Sequence, residues 1–307
     1  MKLIKPSFEI LESQGCLKDI ELAGRTCYQS QDKISEDNSS AITFVKNLLK
    51  RKHYAVIEFG ENVVLKINEP LWSSLMNVAH MPFFQSFQLS CYSSNKILLS
   101  MNPRTAIEFL EFIAENANLY HYDSNIKKLA DTIISSFPLT LVGSFVSVFP
   151  YSLTNPELYE HATLDFDIEK LVHHTVTVRI SCDRGVSHEI VRHRKCSFAQ
   201  KSTRYCDEKG EIQFIEPCWD YIVKGSNFIL PLTYAEIDYK ELRKKGWSPQ
   251  EARAILPNAL ATEIYIKAPI TEWKHIFKLR CAKAAHPQML EIMLPLEEKF
   301  KQLYDVV

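Results

Sequence analysis

At 307 residues, with 46% hydrophobic and 24% charged side chains, the chain is long enough to bury a substantial core and has the composition of an ordinary soluble globular protein. A formal net charge of −1 gives no global field that would attract nucleic acid, so any anion binding has to come from local clusters of cations. Eight glycines without a Gly-x-Gly-x-x-Gly or a glycine-rich phosphate loop argue against a Rossmann fold or a P-loop. The eight cysteines (Cys16, Cys27, Cys91, Cys182, Cys196, Cys206, Cys218 and Cys281) form no Cys-x-x-Cys pair. With no signal pattern and no apolar run long enough for a bilayer, the expected setting is the reducing cytoplasm, away from any membrane.

In chain order, Ala41 to Leu49 carries Ile42, Val45, Leu48 and Leu49 at helical spacing, and Lys50, Arg51 and Lys52 suit the helix C-terminus. The segment from His53 to Phe59 leads into Val63–Ile67, which reads as a strand; a lone histidine such as His53 is more often structural than a ligand. Asn102-Pro103 predicts a helix with Asn102 as its N-cap, burying Ile107, Leu110 and Ile113 with Phe109 and Phe112 beside them. Ser144 to Val148 reads as a strand. Val176, Val178 and Ile180 alternate with Thr177, Arg179 and Ser181, the period of a half-buried strand. Gly185 and Ser187 then turn the chain into a helix expected over Val186 to Arg194. His188-Glu189 with His193 suggests zinc, but residues five apart stand roughly 140° around a helix, so no metal is expected. The same geometry would send Arg192 and Arg194 about 160° apart if the helix continues that far, suiting two ligands or a site repeated across a subunit boundary.

Residues 192–205 pack five fixed cations, one histidine and five neutral hydrogen-bonding side chains into fourteen positions. Forked guanidinium donors match phosphate and carboxylate oxygens, and neighbouring hydroxyls can orient a polar ring. The stretch therefore reads as a surface for a polyanionic ligand, or alternatively as a basic patch for nucleic acid with Phe198 and Tyr205 available for stacking. Residues 206–247 read as a variable connection with some helix. Ser248-Pro249-Gln250-Glu251 is a capping box, and Thr271 reads as the N-cap of a helix placing Trp273, Phe277, Arg280 and Ala284 on adjoining faces. An arginine on that largely apolar side marks either a function or a pairing with a buried carboxylate.

Arg192-His193-Arg194, Ser197, Ser202 and then Arg204-Tyr205 is similar to the signature of the flavin-dependent thymidylate synthases. A second match runs through Ala252-Arg253, Leu256-Pro257, Glu272-Trp273, His275 and Leu279-Arg280. The resemblance covers roughly residues 20–70 and 171–292. It implies an α+β fold of the thymidylate-synthase-complementing type, with a mixed β-sheet flanked by long helices. It further implies one domain over 1–307, elaborated within 68–170, and a homotetramer with sites shared between chains. The implied reaction is reductive methylation of dUMP to dTMP, with methylenetetrahydrofolate as one-carbon donor and NADPH-reduced FAD as reductant, and no part for nucleic acid or membrane.

Carried over position by position, Arg280 is the catalytic residue that polarises the uracil ring. Contacts to dUMP fall to Glu189, Arg192, Gln200, Lys201, Ser202, Thr203, Arg204, Arg253 and Arg280. Contacts to FAD fall to His53, Ala55, Arg192, His193, Arg194, Gln200, Pro269, Thr271 and His275. Ser202, lacking a basic partner, is assigned to substrate positioning; no cysteine is assigned as nucleophile, and Cys196 reads as packing. The chain departs from the family pattern at Ala55, where a hydroxyl is usual, at Glu189 for a glutamine and at Ala199-Gln200 for Asn-Glu. It also departs at Pro269 for a flavin-contacting asparagine and at Thr271 for an arginine. Asn102-Pro103-Arg104 repeats the missing Asn-x-Arg pattern elsewhere. An FAD-binding relative without dUMP activity is the alternative within the same family.

Overall fold

The structure is a computed structural model that describes residues 1–77, 81, 87–93, 96–116, 123–143, 167–208, 210–222 and 227–304. Among these residues nine strands follow in chain order: β1 (Lys2–Ile4), β2 (Ser7–Leu11), β3 (Val63–Ile67), β4 (Gln88–Ser93), β5 (Lys96–Met101), β6 (Thr175–Asp183), β7 (Ser197–Gln200), β8 (Gln213–Ile215) and β9 (Ala261–Pro269). With the helices they make an α+β chain, but the strands are divided among three sheets, ordered β2-β6-β9-β7, β3-β5-β4 and β1-β8. The β1–β8 pairing is parallel, whereas β2–β6, β7–β9, β3–β5 and β4–β5 are antiparallel. Among the described residues no helix is long and apolar enough to cross a membrane.

The chain resolves into two compact units. One comprises Met1–Glu12, Gly24–Gln31 and Val176–Val307; the other comprises Ser13–Ala23 and Asp32–Thr175, and the expected elaboration at 68–170 falls inside it.

In the first unit, β6 buries Val176, Val178 and Ile180 as its alternation predicts. Its neighbour β9 is buried along nearly its whole length. Each of these two strands runs without a loop into a helix: β6 into Arg184–Ile190 and β9 into Ile270–Arg280. The second helix is anchored by Trp273, fully buried, whose Nε1–H donates to the Val176 carbonyl at 3.1 Å. Its ring packs with Phe277 and with Phe300 of the helix Pro287–Tyr304, at centroid distances of 5.8 and 5.1 Å. Burying such side chains contributes roughly 1.5–3 kcal/mol each. Within the stretch read as a variable connection with some helix, a sixteen-residue helix, Ile229–Lys244, turns Leu232 and Tyr239 into a satellite core with Ile212 and Phe214.

In the second unit, the predicted helix is present as Ser39–Lys50 and the predicted strand as β3, while the stretch between them, Tyr54–Phe59, is a 3₁₀ turn. Asn102 caps the helix Pro103–Glu115, its side-chain oxygen accepting the Thr105 N–H at 2.9 Å, and Ile107, Phe109, Leu110 and Ile113 are buried. The strand expected over Ser144 to Val148 lies outside the described residues.

A buried histidine ties this unit together. His173, at the end of the helix Asp167–His173, has one ring nitrogen 2.9 Å from Ser100 Oγ on β5 and the other 2.9 Å from Ser90 Oγ on β4. Burial pushes its imidazole down to about 4, against a weaker upward pull from Glu169. The unfolded chain takes up that proton near pH 6.5, so the stability His173 contributes is intact above pH 6.5 and is lost as pH falls toward 4, with about 2 kcal/mol gone by pH 5. The melting temperature is therefore expected to fall between pH 7.5 and pH 5, and H173Q, which can bridge both serines without titrating, should fall less steeply. Equal slopes would exclude His173 as the source.

Candidate functional site

The Asp183 carboxylate accepts the Val186 N–H at 2.7 Å and starts the helix that follows β6. That helix ends at Ile190, four residues short of the expected Arg194, and the chain turns through Val191 and Arg192. The opposed helical directions expected for Arg192 and Arg194 therefore lose their premise. Both are exposed, and among the described residues neither has an ion-pair partner. The chain then forms β7, and the Gln200 amide donates to Ser187 Oγ at 2.9 Å and Thr262 Oγ1 at 3.1 Å. Ser202 folds the next turn: its Oγ accepts the N–H groups of Arg204 and Tyr205 at 3.2 and 3.3 Å.

Arg280 closes the site from the other side of the sequence. It is the last residue of the helix Ile270–Arg280, so Ala284 lies beyond the face it was expected to share, and the N-cap is Pro269 while Thr271 is an exposed first-turn residue. Its Nε–H donates to His193 Nε2 at 3.1 Å, Nη1–H to the Glu189 carboxylate at 2.9 Å, and Nη2–H to the Glu189 backbone carbonyl at 2.6 Å. The carboxylate partner the sequence allowed for is thus real, but Glu189 is 43% exposed rather than buried.

His193 itself is buried. Its ring stands edge-on to His275 at 5.8 Å, and its Nδ1 lies 3.8 Å from a Glu272 carboxylate oxygen. Because Nε2 accepts from Arg280, the ring hydrogen belongs on Nδ1. Burial, then the charges of Arg280 and His275, push this imidazole down to about 4, and burial raises the Glu272 carboxyl. His193, Glu272 and His275 bring three metal-ligand atoms within 4.8 Å of one another, a grouping the sequence did not suggest. The Arg280 guanidinium on His193 is a fixed positive charge at hydrogen-bond distance, and it opposes a second cation there.

A second cationic group gathers around Thr203. The capping box is formed, with Glu251 accepting the Ser248 N–H and hydroxyl at 2.7 and 2.6 Å, and the short helix Pro249–Ala252 delivers Arg253, whose Nη1–H donates to Thr203 Oγ1 at 3.2 Å. Arg204 donates to the Gln250 side chain at 3.3 Å and lies 5.1 Å over the Tyr205 ring. Arg184, which sequence reasoning missed, joins them. Among the described residues its buried Nη1 has no hydrogen-bond partner, and burial first, Arg253 second, lower its hold on its proton. A buried guanidinium donor beside another guanidinium is an arrangement that an anion would satisfy. The available signal was an arginine at the first position after an alternating strand, a few residues ahead of the basic block.

The remaining predicted residues are differently placed. Lys201 pairs with Glu208 at 2.8 Å and lines a polar cavity of about 220 Å³ with Thr26, Gln29, Ser181, Gln213 and Glu263 among its walls. His53 and Ala55 belong to the second unit and are exposed. Glu58, in the same segment, pairs with Arg104 at 2.5 Å, and Arg104 also pairs with Glu108 at 2.7 Å. Burial raises the thiols of Cys182, Cys196 and Cys206, and pushes Cys281 up to about 12.

The family model described as thymidylate synthase complementing protein matches residues 157–304. Three similar proteins carry the name flavin-dependent thymidylate synthase. The one from Pyrococcus abyssi is 32% identical over 149 residues, covering 46% of this chain and 56% of the relative. That from Pyrococcus furiosus is 30% identical over 156 residues, covering 48% and 59%, and that from Geobacter sulfurreducens is 30% identical over 143 residues, covering 44% and 54%. The chain thus spans little more than half the length of these relatives.

Since Trp273 moors the helix that carries Glu272, His275 and Arg280, W273A is expected to cost about 3–5 kcal/mol in urea unfolding. W273F, which keeps a ring but leaves the Val176 carbonyl without its donor, should cost about 1–3 kcal/mol. Wild-type stability in W273A would contradict the anchoring role.

Proposed function

We propose, from the match of residues 157–304 to the thymidylate synthase complementing protein model and from relatives about 30% identical that are named flavin-dependent thymidylate synthase, that this chain belongs to that family and converts dUMP to dTMP by reductive methylation at uracil C5. Methylenetetrahydrofolate is the proposed one-carbon donor, and FAD reduced by NADPH supplies the reducing equivalents when bound. The reading includes a homotetramer with sites shared between chains.

The observation that carries it is the meeting of Arg280 with Glu189 and His193, at one end of a short helix whose other end bears Arg184 beside Arg253. Arg184 and Glu189 are five residues apart, about 7.5 Å along the helix at 1.5 Å per residue. That is comparable to the reach from phosphate to the far edge of the base in a nucleoside monophosphate. Arg184 and Arg253, with Arg204 alongside, take the phosphate, and the buried donor of Arg184 gains its missing acceptor. Arg280 donates toward the O4 edge of the uracil, where it stabilises negative charge and makes C6 more electrophilic. Charge-assisted contacts of this kind contribute roughly 1.5–3 kcal/mol each. They accelerate the reaction to the extent that they strengthen in the transition state.

His193 serves as a neutral acceptor that fixes the plane of Arg280, since its imidazole resists protonation to about pH 4. Ser202 uses its oxygen to hold the turn at Arg204 and Tyr205, consistent with positioning rather than attack. The residues fit a flavin in part. Arg192 and Arg194, exposed and without ion-pair partners among the described residues, suit its phosphates, and the imidazoles of His193 and His275 offer planar polar edges. Pro269, as a proline, offers no hydrogen-bond donor.

Purified protein should be yellow, or become so with FAD, and should release tritium from 5-³H-dUMP only when methylenetetrahydrofolate and NADPH are both present. R280A should keep the flavin spectrum and lose turnover by about 100-fold or more. Near-wild-type turnover in R280A would refute its role. A colourless protein that takes up no FAD and binds nucleic acid with a steep salt dependence would refute the whole reading.

A further inference from the structure

Of the five N–H donors of Arg280, one on each nitrogen is already committed within the protein. All three of its nitrogens are engaged by the protein, on His193 Nε2, the Glu189 carboxylate and the Glu189 backbone carbonyl. The three contacts differ in how easily they can be given up. His193 is buried and held in place, and a backbone carbonyl moves only with its helix. The Glu189 side chain is 43% exposed against 19% for Arg280, so its carboxylate can leave for water with little desolvation to recover. Released in that way, Arg280 would stay aimed by its other two partners. While the carboxylate holds on, the pair is neutral overall and Arg280 contributes no net positive charge to an incoming anion.

We propose that Glu189 is a specificity-determining latch on Arg280: a ligand gains this guanidinium by displacing the Glu189 carboxylate, and the anionic charge of a nucleotide is held at a disadvantage until it does. The inference rests on the reading of this site as one for a nucleoside monophosphate. It gives Glu189 the part of a competitor of the ligand, where the family resemblance would make it a contact. The carboxylate has a second effect of the same sign, since its negative charge, about 7.5 Å along the helix from Arg184, repels a phosphate dianion held there. Removing the charge while keeping the shape should therefore tighten nucleotide binding, an outcome that loss of a supporting contact would not produce.

The test is calorimetric titration of the full-length protein with dUMP and with uncharged 2′-deoxyuridine, using wild type, E189Q and E189A. Both variants are expected to bind dUMP about tenfold more tightly at low ionic strength, with the gain shrinking in 0.5 M NaCl as the charge is screened. The gain for deoxyuridine should be smaller. Melting temperatures recorded alongside establish that the variants are folded, and E189A stands in if E189Q is not. Wild type binding dUMP while both variants bind it equally or more weakly would overturn the latch and leave the nucleotide reading standing. Absence of dUMP binding by all three proteins would overturn that reading and the latch with it.

Discussion

A single guanidinium joins two segments of the first unit that are distant in sequence. Arg280 ends one helix, Glu189 sits near the end of another, and His193 lies in the turn beyond it. A largely shielded arginine is costly unless its donors are satisfied, and removing one partner of such a group costs more than forming the pair gains. The Arg280 charge adds to burial in keeping His193 neutral, and the hydrogen bond to Nε2 sets its tautomer. The aromatic cluster of Trp273, Phe277 and Phe300 then keeps the cost of an unsatisfied arginine from being relieved by movement, because it fixes the helix that carries the arginine.

The sheet explains why these helices meet. β6 and β9 are hydrogen-bonded neighbours at the interior of the four-stranded sheet, and each passes straight into its helix. With no loop to absorb displacement, the start of each helix is set by the register of buried strands. Functional groups on such elements are held more closely than groups on loops. The cationic group around Thr203 is built differently, from a turn and a short capped helix. There, two guanidinium groups stand near each other with part of one buried, a repulsion that folding sustains and that a bound anion would relieve.

Much of this was legible in the sequence where the signal is local. The alternation of Val176, Val178 and Ile180, the Asn102 cap and the Ser248–Glu251 capping box each rest on neighbours a few positions apart, and each stands in the structure. Arg280 could be singled out because an arginine amid Trp273 and Phe277 is conspicuous. What failed depended on distant partners. Helical character through Arg194 gave way because the turn places His193 against Arg280. Thr271 lost the cap to Pro269 because the helix begins at Ile270, directly where β9 ends, two residues earlier than a threonine cap would place it. Some helix was expected in 206–247, but the extent of Ile229–Lys244 was obscured by Leu230, Tyr234 and Ile237, apolar side chains that it leaves exposed. The burial of Arg184 could not be read at all, since an unmet donor is a property of the surroundings and not of the residue.

Four sulfurs in the first unit, on Cys182, Cys196, Cys206 and Cys281, are held by burial in their protonated form at physiological pH. Attack on carbon and oxidation by peroxide both proceed through the thiolate, so these side chains are chemically quiet. Whatever electrophile visits this unit, these sulfurs have no adduct to offer it. Oxidation would likewise be slow at these four thiols, which leaves the exposed Cys218 as the more accessible sulfur of the same unit.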